Sequence, residues 1–256
     1  MKPMLQLLWA ALMLPGLACA APDAQELLRT TDAIRNPGKP FSVKVTLTEF
    51  ENGKQVDAST LMTYSRANDA NGQFASLVSF VQPARDAGKL LLRNGDDLWF
   101  YDPGTKASVR LSPQQRLMGQ ASNGDVVTVN LAKDYGAKLL AEEEVTDGER
   151  HTRKAYKLGL NATAPAATYT TIELWVDEET TRPIKGKFFA ESGRLLKTVY
   201  YRRYQPQLGR DRPTETVIID GLNPQSVTLM RFSDWASPAI PQTWFHRDYL
   251  PRFQPE

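Results

Sequence analysis

From residue 41 onward, apolar and polar side chains follow one another at a period of two. Phe41, Val43, Val45 and Leu47 alternate with Ser42, Lys44, Thr46 and Thr48, the pattern of a strand with one buried face. Asn52-Gly53 is a hairpin turn, and residues 56–64 return the chain. Residues 74–81 form a third strand that is apolar on both faces. Leu90-Leu91-Leu92 and Leu98-Trp99-Phe100-Tyr101 flank Asn94-Gly95-Asp96, which predicts another hairpin, and residues 107–111 return after the Asp102-Pro103-Gly104 turn. Further strands are expected over 139–145, 150–160, 168–176, 184–190, 195–204, 215–220 and 226–235, punctuated by turns such as Asp147-Gly148 and Ser192-Gly193. No βαβ alternation occurs, so the pattern is mainly β, a meandering antiparallel sheet or barrel.

Three short helices interrupt it. Residues 23–34 carry Leu27, Leu28 and Ile34 at helical spacing behind Asp23 as a cap. Ser112-Pro113 reads as a helix start, with Gln114 to Met118 as the helix and Gly119 as its stop. Residues 126–135 are read as a helix ending at Gly136, against the strand preference of Val126-Val127-Thr128-Val129. The tail holds Trp244, Phe245 and Tyr249, which predicts a short closing segment packed on the sheet.

Several strands are apolar on both faces: Leu98 and Phe100 against Trp99 and Tyr101, and Ile172, Leu174 and Val176 against Trp175. A single-layer antiparallel sheet normally wets one face, so both need cover here. A curled sheet with an apolar cavity under a few helices satisfies this, and a fully packed barrel or sandwich satisfies it equally.

The 256 residues contain 41% hydrophobic and 23% charged residues, an ordinary globular composition. The first twenty residues read as a signal peptide: Lys2, an apolar run over 5–14, Pro15-Gly16, and Ala18-Cys19-Ala20 before a cleavage point at Ala21. Residues 21–256 then form a single domain, exported to the periplasm if the source is a bacterium. Without Lys2 the chain has 30 basic and 29 acidic side chains, which gives no basis for nucleic-acid binding. Cys19 is the only cysteine, so the mature chain holds no disulfide or thiolate metal site. The main reading discards Cys19 with the leader; the alternative is a lipid anchor on Cys19, making the chain a receptor or accessory subunit held at a membrane.

Candidate chemistry is sparse. His151 reads as a solvated residue at a strand start and His246 as partly buried packing among aromatics. Asp96 and Asp97 are the pair on which a hydrolase reading would rest, but adjacent strand residues point to opposite faces. No nucleophile elbow, phosphate loop or HExxH motif is present.

The segments Arg85-x-x-Gly88-Lys89, Asp97-Leu98-Trp99-Phe100-Tyr101-x-Pro103 and Arg110-x-Ser112-x-x-Gln115-Arg116-Leu117-Met118-Gly119 resemble the outer-membrane lipoprotein-sorting protein family, a branch of the LolA/LolB-like superfamily of periplasmic carriers. The resemblance continues through Trp175-Val176-Asp177, Pro183-Ile184, Arg212-Pro213-Thr214 and Phe245-x-x-x-Tyr249-Leu250. It implies an open, strongly curved antiparallel β half-barrel whose concave face is covered by a few helices, with a cavity for acyl chains of a lipid or lipoprotein. It also implies no enzymatic activity, no cofactor, and traffic between membranes alongside an RND-type inner-membrane exporter and an outer-membrane acceptor. On this reading the chain acts as a monomer; Leu98, Trp99, Phe100, Tyr101, Leu117, Met118 and Trp175 are the cavity and lid candidates, and Arg116 is the candidate latch.

Overall fold

The computed structural model describes residues 21–69 and 71–254; the leader and Cys19 lie outside the described residues. The first helix, α1 (Ala24–Arg35), starts at Asp23, whose carboxylate accepts the Gln25 and Glu26 amides at 2.8 and 3.4 Å. It buries Ala24, Leu28, Thr31, Asp32 and Ile34, and Pro37 prevents its continuation. The Arg212 guanidinium receives the end of the helix, donating to the Ala33 and Ile34 carbonyls at 3.2 and 2.7 Å.

Six strands follow as a meander: β1 (Phe41–Glu51), β2 (Lys54–Ala67), β3 (Phe74–Gln82), β4 (Leu90–Asn94), β5 (Asp97–Asp102) and β6 (Ala107–Arg110). Asn52 and Gly53 both take positive φ, 51° and 76°, the twist that a two-residue hairpin requires. The second meander is β9 (Tyr135–Thr146), β10 (Thr152–Ala162), β11 (Thr171–Asp177), β12 (Pro183–Phe189), β13 (Leu195–Gln207), β14 (Arg210–Asp220) and β15 (Ser226–Ala236). Because β15 pairs antiparallel with β1, the two meanders join into one 13-stranded sheet, open between its edge strands β6 and β9.

Between the meanders, residues 111–134 cross the inner face as a strap. It contains a small hairpin, β7 (Arg116–Met118) with β8 (Ala121–Ser122), and two single helical turns, α2 (Asn123–Val126) and α3 (Leu131–Asp134). This corrects both helix expectations for the region. Residues 116–118 pair with 121–122 rather than coiling, so Ser112-Pro113 opens a turn and Gly119, at φ 53°, turns the hairpin. The β-branched run 126–129 keeps residues 127–130 out of helix, leaving one turn at each end.

Both faces of the first meander are covered. On the inner face, α1 and the strap lie against a continuous core that includes Val45, Leu61, Leu91, Leu158, Leu174 and Ile218. On the outer face, two 3₁₀ turns (Gln242–Phe245 and Arg247–Arg252) seat Phe245 and Leu250 on Tyr64, Leu77, Leu92 and Tyr101. The tail therefore packs as expected. His246, between these turns, is exposed rather than buried, because the neighbouring aromatic rings turn towards the sheet and away from it.

Candidate functional site

A cavity lies on the inner face where the two meanders meet. Its walls are Val43 and Val45 of β1, Ile172 of β11, Val199 of β13, Ile218 of β14 and Met230 of β15, and its roof is strap residues 124–129. Its enclosed volume is about 150 Å³, and the space extends to about 1060 Å³ once the open mouth is counted. Phe232 and Trp235 are half-buried on the open side with Arg35 and Asn36, and Phe41 stacks on Trp235 at a centroid distance of 5.8 Å. The result is an apolar trough with an aromatic and cationic rim.

Polar residues fasten the roof at many points. From α1, Asn36 Nδ2 donates to the Val129 carbonyl at 2.8 Å, and Gln25 Nε2 donates to that of Ala132 at 2.8 Å. The Asp32 carboxylate accepts the Ala132 amide at 2.7 Å and pairs with Arg35 at 2.9 Å. From the sheet, Ser76 Oγ accepts the Thr128 amide at 3.0 Å and Ser65 Oγ lies 2.5 Å from Thr128 Oγ1. Thr63, Ser65 and Ser76 occupy inward strand positions where an apolar residue would be the default, and that polarity is the sequence signal of a covering segment.

At the inner end, Asp125 of α2 is the hub of a buried network. It accepts the Ser122 amide at 2.7 Å and the Tyr169 hydroxyl at 2.9 Å, and it pairs with Lys197 of β13. The Lys197 ammonium also sits 4.7 Å from the Tyr169 ring centroid. Burial pushes the Lys197 pKa down against the pull of Asp125, and pushes the Tyr169 hydroxyl well above its ordinary value with Asp125 adding to the effect. Burial likewise moves Tyr135, whose hydroxyl donates to the Tyr169 carbonyl at 2.9 Å, to about 12. Gly124 lets the roof approach Thr168, since a Cβ there would meet Thr168 Oγ1 at 2.2 Å. None of these groups presents a nucleophile beside a free base.

Asp32 supplies a pH signature. Desolvation raises its pKa to about 6 from 3.8, so the native state binds its proton more tightly than the unfolded chain. Stability from this group is greatest below about 3.8 and falls as pH rises to about 6, by on the order of 2–3 kcal/mol. Chemical denaturation across this range is expected to show the slope in the wild type and a flatter profile in Asp32→Asn.

The residues singled out from the sequence fall on both faces. Leu98 and Phe100 join the inner core, as do Leu117 and Met118 from the strap, but in the packed part beside the first meander and not on the cavity wall. Trp99 and Tyr101 face outward under the tail, where Arg247 lies 5.0 Å from the Trp99 ring. Trp175 is also outside, in a small cluster with Val145, Ala155 and Ile184. Arg116 is exposed and hydrogen-bonds Gln120 at 3.5 Å. Asp97 pairs with Arg110 at 2.7 Å, while Asp96 remains in its exposed turn. Asp147, Glu149 and His151 cluster within 4.8 Å in the β9–β10 turn, but Asp147 is already engaged by the Glu149 and His151 amides and by Arg153.

Comparison with known proteins assigns this architecture. A family model described as "Uncharacterized protein" matches residues 72–252. No curated protein matches the chain. A LolA superfamily protein from Nitrosomonas europaea is 34% identical, with a TM-score of 0.79 over 90% of this chain and 100% of its own. The chain belongs to the LolA superfamily. Two more distant structures share the LolA-like fold. A DUF1329 family protein from Desulfovibrio piger is 21% identical, with a TM-score of 0.74 over 88% of this chain and 97% of its own. An outer membrane lipoprotein-sorting protein domain from Vibrio parahaemolyticus is 19% identical, with a TM-score of 0.74 over 90% and 98%. For a LolA superfamily member, a large open antiparallel sheet with few helices is the expected form, and that form is present here.

Proposed function

We propose that this LolA superfamily chain is a periplasmic, non-enzymatic carrier that shelters acyl chains of a lipid or lipoprotein and passes them between membranes. The observation that carries the reading is the apolar cavity between the β1/β15 junction and the strap, with its aromatic and cationic rim. Exposing an acyl chain to water costs about 0.8 kcal/mol per CH₂, so transit through an aqueous compartment needs such a sleeve. Release then requires only that the roof have an open state a few kcal/mol away. The fold class supports the carrier role, and among the described residues no helix is long and apolar enough to cross a membrane. Cargo arrives from an inner-membrane exporter of the RND type and leaves to an outer-membrane acceptor, with the leader removed before Ala21. Val43, Ile172, Val199, Ile218 and Met230 contact the chain directly, while Leu98, Phe100, Leu117 and Met118 back the wall and the strap.

Native mass spectrometry of protein purified from the periplasm, with extraction of co-purifying lipid, tests this. The wild type is expected to carry acyl-chain mass, and Val199→Trp, which fills the trough, to lose it. Excluding even two methylenes at about 0.8 kcal/mol each weakens binding roughly tenfold. A wild-type protein that is empty under all purification conditions, or a Val199→Trp variant that retains the same lipid, would count against the carrier role.

A further inference from the structure

The outer face of the second meander carries a charge arrangement that cargo binding does not use. Strand register sets Lys157 opposite Trp175, Trp175 opposite Lys185, and Lys185 opposite Tyr200, a cross-strand row of cation, ring, cation, ring. Lys187 joins it from the next outward position of β12. Three ammonium groups thus gather on one indole, with the nitrogens of Lys157, Lys185 and Lys187 at 4.9, 5.2 and 5.8 Å from the Trp175 ring centroid. The ring is buried and fixed by its Nε1, which donates to Glu143 at 2.6 Å. Lys157 is paired with Glu173 at 3.0 Å. Among the described residues, Lys185 and Lys187 have no carboxylate within ion-pair distance; Lys185 meets the Trp175 and Tyr200 rings, and Lys187 meets the Trp175 ring with Glu173 opposite it in register.

A second row lies beside the first. Arg202, Glu215 and Arg231 are opposite one another on β13, β14 and β15, and Arg203 reaches the same carboxylate. Glu215 is buried and holds all three guanidinium groups at 2.5 to 3.5 Å. Within the two rows, six cations face three carboxylates: Glu143, Glu173 and Glu215.

Crowding like charges on one ring is unfavourable unless something anionic meets them. The cations stand on β10, β12, β13 and β15 of one sheet, so they are already positioned and little order is lost when a multivalent anionic surface arrives. We propose that this face docks the protein on a membrane surface displaying anionic lipid headgroups, with Lys157, Lys185 and Lys187 taking headgroup phosphate and the arginine row extending the contact. The breadth of the patch across six strands fits an extended array of phosphates better than a single small anion. The carrier reading supplies the reason to meet a membrane, but the docking chemistry stands on the cations alone and is measured without cargo.

Flotation with vesicles tests the proposal on the mature chain. Binding is expected to vesicles of equal parts phosphatidylcholine and phosphatidylglycerol and not to phosphatidylcholine alone, and to fall as salt rises. Each lysine lost is expected to lower partitioning roughly fivefold, so Lys185→Gln with Lys187→Gln lowers it about 25-fold. Both side chains are partly exposed, so the double variant should keep the wild-type melting curve and its co-purifying lipid. Lys54→Gln with Lys106→Gln, an equal charge change at exposed turns elsewhere, should lower it far less. Equal binding to both vesicle types, no binding to either, or equal losses in the two double variants would overturn the proposal. So would stabilisation of the fold by inorganic phosphate without vesicle binding, which would mark a site for a free anion. If purified protein holds no lipid and yet floats with anionic vesicles, the carrier reading fails and the docking face stands.

Discussion

Lys197→Ala is expected to lower folding stability by about 3–5 kcal/mol, the range for removing one partner of a buried ion pair. Lys197 is 4% exposed, and its loss leaves the Asp125 carboxylate with the Ser122 amide and Tyr169 hydroxyl but no countercharge. The effect reaches function because Asp125 sits on α2 in the cavity roof, whereas Lys197 sits on a strand of the opposite wall. Denaturant titration followed by circular dichroism gives the stability, and an apolar fluorescent dye reports whether the cavity has become accessible. A double variant, Asp125→Asn with Lys197→Met, is expected to recover much of the loss, since replacing both partners is far less costly than orphaning one. A loss below about 1 kcal/mol, the value of an exposed pair, would show that the roof is held by its bonds to α1 and β2–β3 instead.

The second large effect lies on the other face. Phe245→Ala is expected to cost about 3–5 kcal/mol, because Phe245 is 1% exposed and fills the space over Leu77, Leu92 and Tyr101. The rest of the tail depends on it. Asn94 Nδ2 donates to the Phe245 carbonyl at 3.0 Å, and Trp244 and Phe253 pack edge-on to Tyr64 at 5.3 and 5.7 Å. Limited proteolysis should cut the variant near residues 237–246 faster than wild type. Lipid retained under native conditions should be unchanged, because the tail is on the side of the sheet away from the cavity. Coupled loss of tail and cargo would show that the two faces communicate.

These two residues also mark where sequence pattern succeeds and where it fails. The tail was legible because Trp244, Phe245 and Tyr249 have too much apolar area to be left in water. The first strands were legible because β1 alternates strictly and Asn52-Gly53 permits one kind of turn. The β13–β14 hairpin is longer than its sequence pattern predicts, since its turn is Leu208-Gly209 at φ 49° and 86° and both arms carry proline, at Pro206 and Pro213. The strap was harder. Its conformation comes from hydrogen bonds to Gln25, Asp32, Asn36, Ser65 and Ser76, which are distant in sequence, so local propensity had little to report. The choice of inside and outside for Trp99, Tyr101 and Trp175 was beyond a period-two pattern. When both faces are apolar, alternation separates the two sets but does not say which one a helix covers and which one a tail covers.

The pairing of β1 with β15 bears on when this protein becomes competent. Leu47 lies opposite Met230, so the central hydrogen bonds of the sheet join the two ends of the chain. Val43 and Val45 on one side of that seam and Met230 and Phe232 on the other line the same cavity. Until β15 is in place, neither meander encloses the trough. A topology dominated by such distant contacts pays its loop-closure entropy before gaining its core, which sets folding among the slower β proteins, on the order of milliseconds to seconds or longer. The chain therefore encloses no trough while it is being synthesised, and gains one only once its β15 strand docks on β1.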